Sequence, residues 1–190
     1  GEEEATTFGY AFDIGVLKKN LFIDKLNFAA VLANIGPSVY YVDKTIEDPI
    51  PLTWRIGLSY EIFSLADYKL TAVADYNREV VYDDEKGSPE PFYVACWKSL
   101  IHPERGGDNF TDKVRHSIMQ GVFNTGLEFI YANTIALRGG YLYDQTGKRN
   151  EVDFGFGFML SDMLQFDFAT IKDVGDNDGV RDGQMRFGML

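Results

Sequence analysis

The side chains that could support catalysis in this chain are scattered carboxylates and two histidines. Glu61 and Asp153 have the chemistry of a general acid and base, since one carboxylate can give a proton and the other accept it, but their positions in the sequence set no distance between them. His102 and His116 lie in one polar stretch, and the sequence contains no Gly-x-Ser-x-Gly segment that would present a nucleophilic serine. The missing constellation predicts a protein without enzymatic activity.

A second candidate for chemistry is the acidic stretch 172–183, which reads KDVGDNDGVRDG. Aspartates at alternate positions before a glycine partly match a calcium-binding loop. However, the glutamate that such a loop needs at its twelfth position is missing, and the flanking pattern is that of strands and not helices. Asp and Asn beside glycine are also typical of turns, because they tolerate left-handed backbone conformations. We therefore expect a turn here, with no metal or other cofactor.

The elements that must position these residues are short stretches in which every second side chain is large and apolar. Residues 52–62, LTWRIGLSYEI, place Thr, Arg, Gly, Ser and Glu between their apolar residues. Because successive side chains of a strand point to opposite faces, each stretch has one apolar face and one small or charged face. The second face suits a polar lumen; its charged members include Asp13, Arg55, Glu61, Glu128, Arg138, Asp153 and Arg186. The pattern predicts an all-β fold, a transmembrane antiparallel β-barrel with its apolar side toward lipid.

Composition excludes several other classes of protein. A chain of 190 residues with 45% hydrophobic residues can bury a sizeable surface, so disorder is not expected. No run of about 18 apolar residues occurs, which excludes a helical membrane span and leaves a closed barrel as the remaining way to cross a bilayer. The net charge of -11 argues against a nucleic-acid partner, whose phosphates require a basic surface. The single cysteine, Cys96, excludes a disulfide within the chain.

Nine segments show the alternation, at residues 7–17, 25–35, 52–62, 68–78, 122–131, 135–143, 150–160, 164–171 and 184–190. The connections between them alternate between short and long, as the periplasmic turns and external loops of outer-membrane barrels do. On this topology the first and last strands both run toward the periplasm. Because single-chain bacterial barrels have an even number of strands, we expect residues 1–190 to be the C-terminal part of a larger barrel domain, with an odd number of strands before them.

Three stretches resemble a known family: LRGGYLYDQTGKRNEVDFGFGFMLSDMLQFDFA at 137–169, GYAFDIGVL at 9–17 and WRIGLSYEI at 54–62. Together they resemble the PorV group, outer-membrane components of the type IX secretion system of Bacteroidetes within the FadL-like barrel superfamily. The resemblance implies a bacterial outer-membrane barrel of about fourteen strands, roughly nine of them in this chain. It also implies binding of secreted cargo, of the translocon barrel and of cell-surface attachment proteins, so that cargo is passed to the cell surface.

The wider superfamily leaves a second function open, which is FadL-like transport of hydrophobic small molecules. Such a transporter needs an open lumen or a lateral gap beside a kinked strand. Gly155 and Gly157 could allow a gap of this kind, because glycine weakens a strand interior.

The longest connection, residues 79–121, is expected to be an extracellular loop insertion. It contains PFYVACWKSLI, an apolar and aromatic stretch between charged flanks, whose spacing around Phe92 is also compatible with a short helix. Large exposed apolar patches mark interaction sites, so this stretch either folds over the barrel mouth or docks onto a partner. The connection 36–51 raises the same question. The candidate partner-binding residues are Tyr40, Tyr41, Phe92, Tyr93, Trp97, Leu100 and Ile101.

Other side chains are expected to contact the membrane or one another. Aromatic residues near strand ends, such as Tyr68 and Tyr131, would anchor the barrel at the lipid interfaces. Lys148 and Arg149, in a turn where Gly147 would supply the positive φ, would face outward as solvated charges or as contacts for lipopolysaccharide phosphates. Charges on the inward face are expected to form ion pairs, because a charge in a low-dielectric barrel must be paired or hydrated.

Overall fold

The computed structural model describes residues 9–37, 39–40, 47–48, 50–80, 109–161, 164–175 and 183–189. Nine antiparallel strands in this part of the chain form one sheet. They are β1 (Phe12–Lys18), β2 (Leu26–Ile35), β5 (Leu52–Ser64), β6 (Tyr68–Val80), β7 (Val122–Tyr131), β8 (Ile135–Asp144), β9 (Arg149–Ser161), β10 (Leu164–Asp173) and β11 (Gln184–Met189). A separate pair, β3 (Val39–Tyr40) and β4 (Glu47–Asp48), and one helix, α1 (Phe110–Met119), complete the described elements.

The strands of the large sheet are neighbours in the order in which they follow one another along the chain, β1-β2-β5-β6-β7-β8-β9-β10-β11. Within the described residues the sheet ends at β1 on one side and at β11 on the other. This arrangement confirms the nine predicted strands and their antiparallel, sequential pairing. None of the helices among the described residues is both long and apolar enough to span a membrane.

Three features of the fold differ from the sequence-based expectation. The first strand begins at Phe12, because residues 9–11 are not in strand conformation. The connection 36–51 contains the short β3–β4 pair, and the connection 79–121 ends in the helix α1, neither of which the alternation predicted. The short helix considered around Phe92 lies outside the described residues.

Contacts divide the chain into two compact units, made of residues 1–16, 30–55 and 77–119 and of residues 17–29, 56–76 and 120–190. The first unit has a small core in which buried Leu52 and Val80 pack with Leu32, Ile35 and Trp54. The second contains the whole of β7 to β11, whose register runs across all five strands with one shift, between Leu164 and Gln165, in the pairing of β10 with β9.

That register separates two kinds of side chain, row by row. One row across the five strands consists of Phe129, Leu137, Phe156, Phe168 and Phe187. The adjacent row, one residue away on each strand, consists of Glu128, Arg138, Gly155, Ala169 and Arg186. Because the side-chain period of a strand is two, these rows lie on opposite faces of the sheet. We call them the apolar face and the polar face of β7–β11.

Candidate membrane-facing surface and polar network

The apolar face of β7–β11 is uncovered. Many of its large side chains are exposed, Phe166 to 42%, Leu137 to 50% and Phe187 to 80%, while Phe129, Phe158 and Phe168 are half-buried. In a sandwich this face would be the core, since fully burying one such side chain stabilises a fold by about 1.5–3 kcal/mol. No second sheet packs on it in the part of the chain that the structure describes. The surface therefore has the composition of a protein interior and the exposure of a protein exterior.

The polar face carries a three-residue ionic network centred on Arg138. Its Nε donates to Glu128 Oε2 on β7 at 2.7 Å, and its Nη1 donates to Asp167 Oδ1 on β10 at 2.6 Å. Gln165 Nε2 donates to the other carboxylate oxygen of Asp167 at 2.6 Å. Because Arg138 belongs to β8, its side chain passes across the intervening strand β9 to reach Asp167. The network thus confirms that this arginine is paired with carboxylates, as expected.

Glycines of β9 make room for that crossing. A Cβ added at Gly157 would lie 2.8 Å from Asp167 Oδ1 and 3.1 Å from Arg138 Nη1. Two glycines of β9 are paired with residues of both neighbouring strands. Gly155 pairs with Arg138 on β8 and Ala169 on β10, and Gly157 pairs with Ala136 on β8 and Asp167 on β10. β9 is therefore paired on both sides through Gly155 and Gly157, and these glycines accommodate Arg138 at the place where a kink with a lateral gap could have been expected.

A second ionic group joins the first strands of the sheet. Lys25 Nζ lies 3.0 Å from Glu61 Oε1, and Lys69 Nζ lies 3.9 Å from Glu61 Oε2. Further polar contacts on neighbouring strands are Asn27 Nδ2 to Ser59 Oγ at 3.2 Å and Asn124 Nδ2 to Asp75 Oδ1 at 2.8 Å. Glu61 is thus an ion-pair residue bound by lysines, and the structure does not bring it together with Asp153 as an acid and base pair.

The β8–β9 hairpin corrects the expectation for its turn. Arg149 donates to Asp144 Oδ2 from Nε at 3.0 Å and from Nη2 at 2.7 Å, so its guanidinium is paired within the hairpin and is not a free contact for phosphate. The residue with positive φ is Lys148, at 50°. Gly147 instead donates its backbone N–H to Asp144 Oδ1 at 2.7 Å, and any Cβ there would collide with that carboxylate. Glycine is required at 147 because the Asp144 carboxylate lies too close for a Cβ, and not because the backbone is left-handed.

Aromatic side chains cluster near strand ends, as expected for the interfaces of a membrane barrel. Tyr68 lies beside Tyr131 with ring centroids 5.2 Å apart and beside Phe129 at 6.1 Å. Toward the other ends of the same strands, Tyr76 lies 4.8 Å from Phe123. The geometry is compatible with two aromatic bands, one at each end of these strands.

The candidate partner-binding residues remain predictions. Of the seven, Tyr40 is placed as a backbone position in β3, while Tyr41, Phe92, Tyr93, Trp97, Leu100 and Ile101 lie outside the described residues. In the acidic stretch, Asp173 Oδ1 accepts from the backbone N–H of Gly175 at 2.7 Å, which is the expected turn chemistry. Its other aspartates also lie outside the described residues. Among the side chains that the structure does describe, no cluster could hold a metal ion.

Two polar contacts were not predicted from the sequence. The Asp144–Arg149 pair flanks the turn, at the strand ends where a hairpin brings two residues face to face, and this spacing was a usable signal. The lysines on Glu61 had no comparable signal, because Lys25 reaches it from a different hairpin. Comparison with known proteins adds no assignment: no family model matches the chain, and no curated protein matches it.

Proposed function

We propose that this chain is part of a transmembrane β-barrel of the bacterial outer membrane. The observation that carries the proposal is the uncovered apolar face of β7–β11, set back to back with a face of glycines and paired charges. A lipid bilayer is the environment in which such a face is favourable, because the hydrocarbon replaces the missing second sheet. The opposite face, with Arg138 held by Glu128 and Asp167, has the chemistry of a polar lumen.

Within that class we propose a component of the type IX secretion system, similar to the PorV group, that binds secreted cargo and translocon and attachment partners. This finer proposal is supported by the resemblance of residues 9–17, 54–62 and 137–169 and by the aromatic stretch in 79–121. The alternative, transport of hydrophobic small molecules, is supported only by the wider superfamily, and it would need a lateral gap of the kind that Gly155 and Gly157 could allow. Those glycines are occupied in accommodating Arg138, so the structure offers the transporter no specific observation.

One preparation tests both levels of the proposal. Membranes from cells that produce the tagged protein are extracted with detergent, and the protein is run on a gel with and without heating. A folded barrel migrates differently before and after heating, whereas a soluble sandwich would be released without detergent. Affinity capture from the same extract, followed by mass spectrometry, should recover large outer-membrane partners. Recovery of the barrel with bound lipid-like small molecules and without partners would favour the transporter instead.

A further inference from the structure

The strand β11 ends the sheet within the described residues, and its outer edge has no neighbour there. Every second residue of an edge strand directs its backbone N–H and C=O away from the sheet, where they require hydrogen-bond partners. The hydrocarbon of a bilayer contains no water that could serve as this partner. An acyl chain offers neither a donor nor an acceptor, so a further strand is the partner that completes this edge.

The side chains of β11 also lack a neighbour beside them. In one row of the apolar face, Phe156 on the inner strand β9 is 43% exposed, whereas Phe187 on β11 is 80% exposed. Met185 and Met189, on the same face of β11, are 65% and 71% exposed. Lipid lying over the face would cover both phenylalanines alike. The additional exposure of Phe187 is therefore on the side of the open edge.

Arg186, on the polar face of β11, indicates the charge that a neighbouring strand should carry. It forms no hydrogen bond or ion pair with any residue that the structure describes. Arg138 occupies the same row of the sheet and is bound by two carboxylates, those of Glu128 and Asp167. Asp167, on the strand next to β11, already accepts from Arg138 and from Gln165. The open side of Arg186 is thus complementary to a carboxylate on a strand beyond β11.

A second copy of the chain does not fit this edge. Two β11 strands paired with each other would bring no carboxylate to Arg186, because the sequence of β11, QMRFGM, contains none. The strand β1 does contain a carboxylate, that of Asp13. However, the first and ninth strands of a sequentially antiparallel sheet run in the same direction. With both apolar faces on one side, β1 could pair with β11 only as a parallel strand, against the antiparallel order of the sheet.

We propose that the outer edge of β11 pairs with an antiparallel strand of the same barrel, other than the strands described, and that this strand places a carboxylate opposite Arg186. The inference rests on the proposed membrane barrel. Because side chains alternate between the faces, the residues before and after that carboxylate lie on the apolar face, beside Met185 and Phe187. The ion pair joins the two strands on the lumen side, as Arg138 joins β8 to β7 and β10.

The first experiment uses the full-length protein in outer-membrane vesicles, with its folding verified by a heat-modifiable band. Arg186→Lys keeps the positive charge and introduces a primary amine. A carbodiimide then couples this amine to an adjacent carboxylate; an amide forms, and the water that is lost converts the carbodiimide to a urea. Mass spectrometry of peptides should show position 186 linked to an Asp or Glu of another strand in the same chain. Gln184→Lys, on the same face of β11, is the matched control and should give less of that product.

Three results of this coupling would overturn the inference. A link to Asp167 would show that the described strands supply the counter-charge. A link between two copies, detected by mixing isotope-labelled and unlabelled protein, would show that a second copy covers the edge. A folded Arg186→Lys protein that forms no link at position 186 would show that no carboxylate lies opposite.

Hydrogen exchange of the unmodified protein in micelles gives an independent result and decides the question if Arg186→Lys does not fold. Pairing on both sides should slow exchange at all the amides of residues 185–188. Alternating fast and slow amides in a heat-modifiable protein would show an open edge, which overturns this inference and leaves the barrel standing. An unmodified protein without a heat-modifiable band overturns the barrel proposal together with this one.

Discussion

Arg138 illustrates how a single residue organises the polar face. Its two carboxylate partners belong to strands on either side of it, Glu128 on β7 and Asp167 on β10, and only the second requires the side chain to cross β9. The crossing depends on the absence of a Cβ at Gly157, since any side chain there would meet both Asp167 and the guanidinium. Partly hydrated ion pairs of this kind contribute about 0.2–1 kcal/mol each, so the network is a modest stabiliser with a strict steric condition.

Two glycine substitutions test that condition. Gly157→Ala should lower the free energy of unfolding by about 1 kcal/mol, because the new methyl group displaces Asp167 from Arg138. Gly139→Ala is the matched control, because Gly139 lies on the neighbouring strand and no atom lies within 4 Å of an added Cβ. This change should raise the free energy of unfolding by about 0.5 kcal/mol, since alanine is favoured over glycine in a strand. Urea unfolding of the protein in micelles measures both. Equal effects of the two changes would contradict the proposed crossing.

The β8–β9 hairpin shows how one buried carboxylate orders an element. Asp144 is buried and accepts from Gly147 and from Arg149. Asp144→Ala should cost about 1–3 kcal/mol, because it leaves a backbone donor and a guanidinium without their acceptor. Amide hydrogen exchange at residues 145–149 should accelerate in this variant. Gln145→Ala, an exposed change one residue away, should leave exchange unaltered, and faster exchange in both variants would assign the effect to the turn in general.

The register of β9 predicts which environment covers the apolar face of the sheet. Phe156 lies in the middle of the apolar face, between Leu137 and Phe168. Phe156→Arg should cost about 2–4 kcal/mol if that face meets hydrocarbon, since a cation there loses its hydration. Gln184→Arg introduces the same cation on the polar face of β11 and should be tolerated. Folded yield and heat-modifiability report the difference, and a fully folded Phe156→Arg protein would argue that water and not lipid covers this face.

The strands could be predicted from the sequence because the alternation is carried by long runs, such as residues 52–62 and 150–160, in which each residue type matches its face. The two-residue strands β3 and β4 are too short to display any period. The helix α1 was not predicted because it lies in a polar connection, and the strand alternation that identified the other elements is absent there. The Arg138 network could not be predicted without the register across four strands, β7 to β10, because the sequence shows its charged members but not which of them become neighbours.

At the scale of the whole molecule, the two faces of the sheet carry different kinds of side chain. Apolar side chains of β7–β11 are directed to one side, and the ion pairs of Arg138 lie on the other, so neither face resembles a solvated surface. In the proposed barrel a bilayer would cover the first face and a hydrated lumen would lie against the second. In the proposed barrel, protein partners would be bound outside the strands, and the connection 79–121 is the longest segment between two of them.

The last prediction concerns that connection. Tyr93 and Trp97 are its largest aromatic residues within PFYVACWKSLI, and such residues typically contribute more than about 1–2 kcal/mol each at a binding hot spot. Trp97→Ala with Tyr93→Ala should leave membrane insertion intact, while weakening capture of outer-membrane partners and reducing export of cargo. Tyr82→Ala, in the same connection but outside the apolar stretch, is the control. A double variant that captures partners in full yield and secretes normally would show that the stretch covers its own barrel mouth and does not dock onto the translocon.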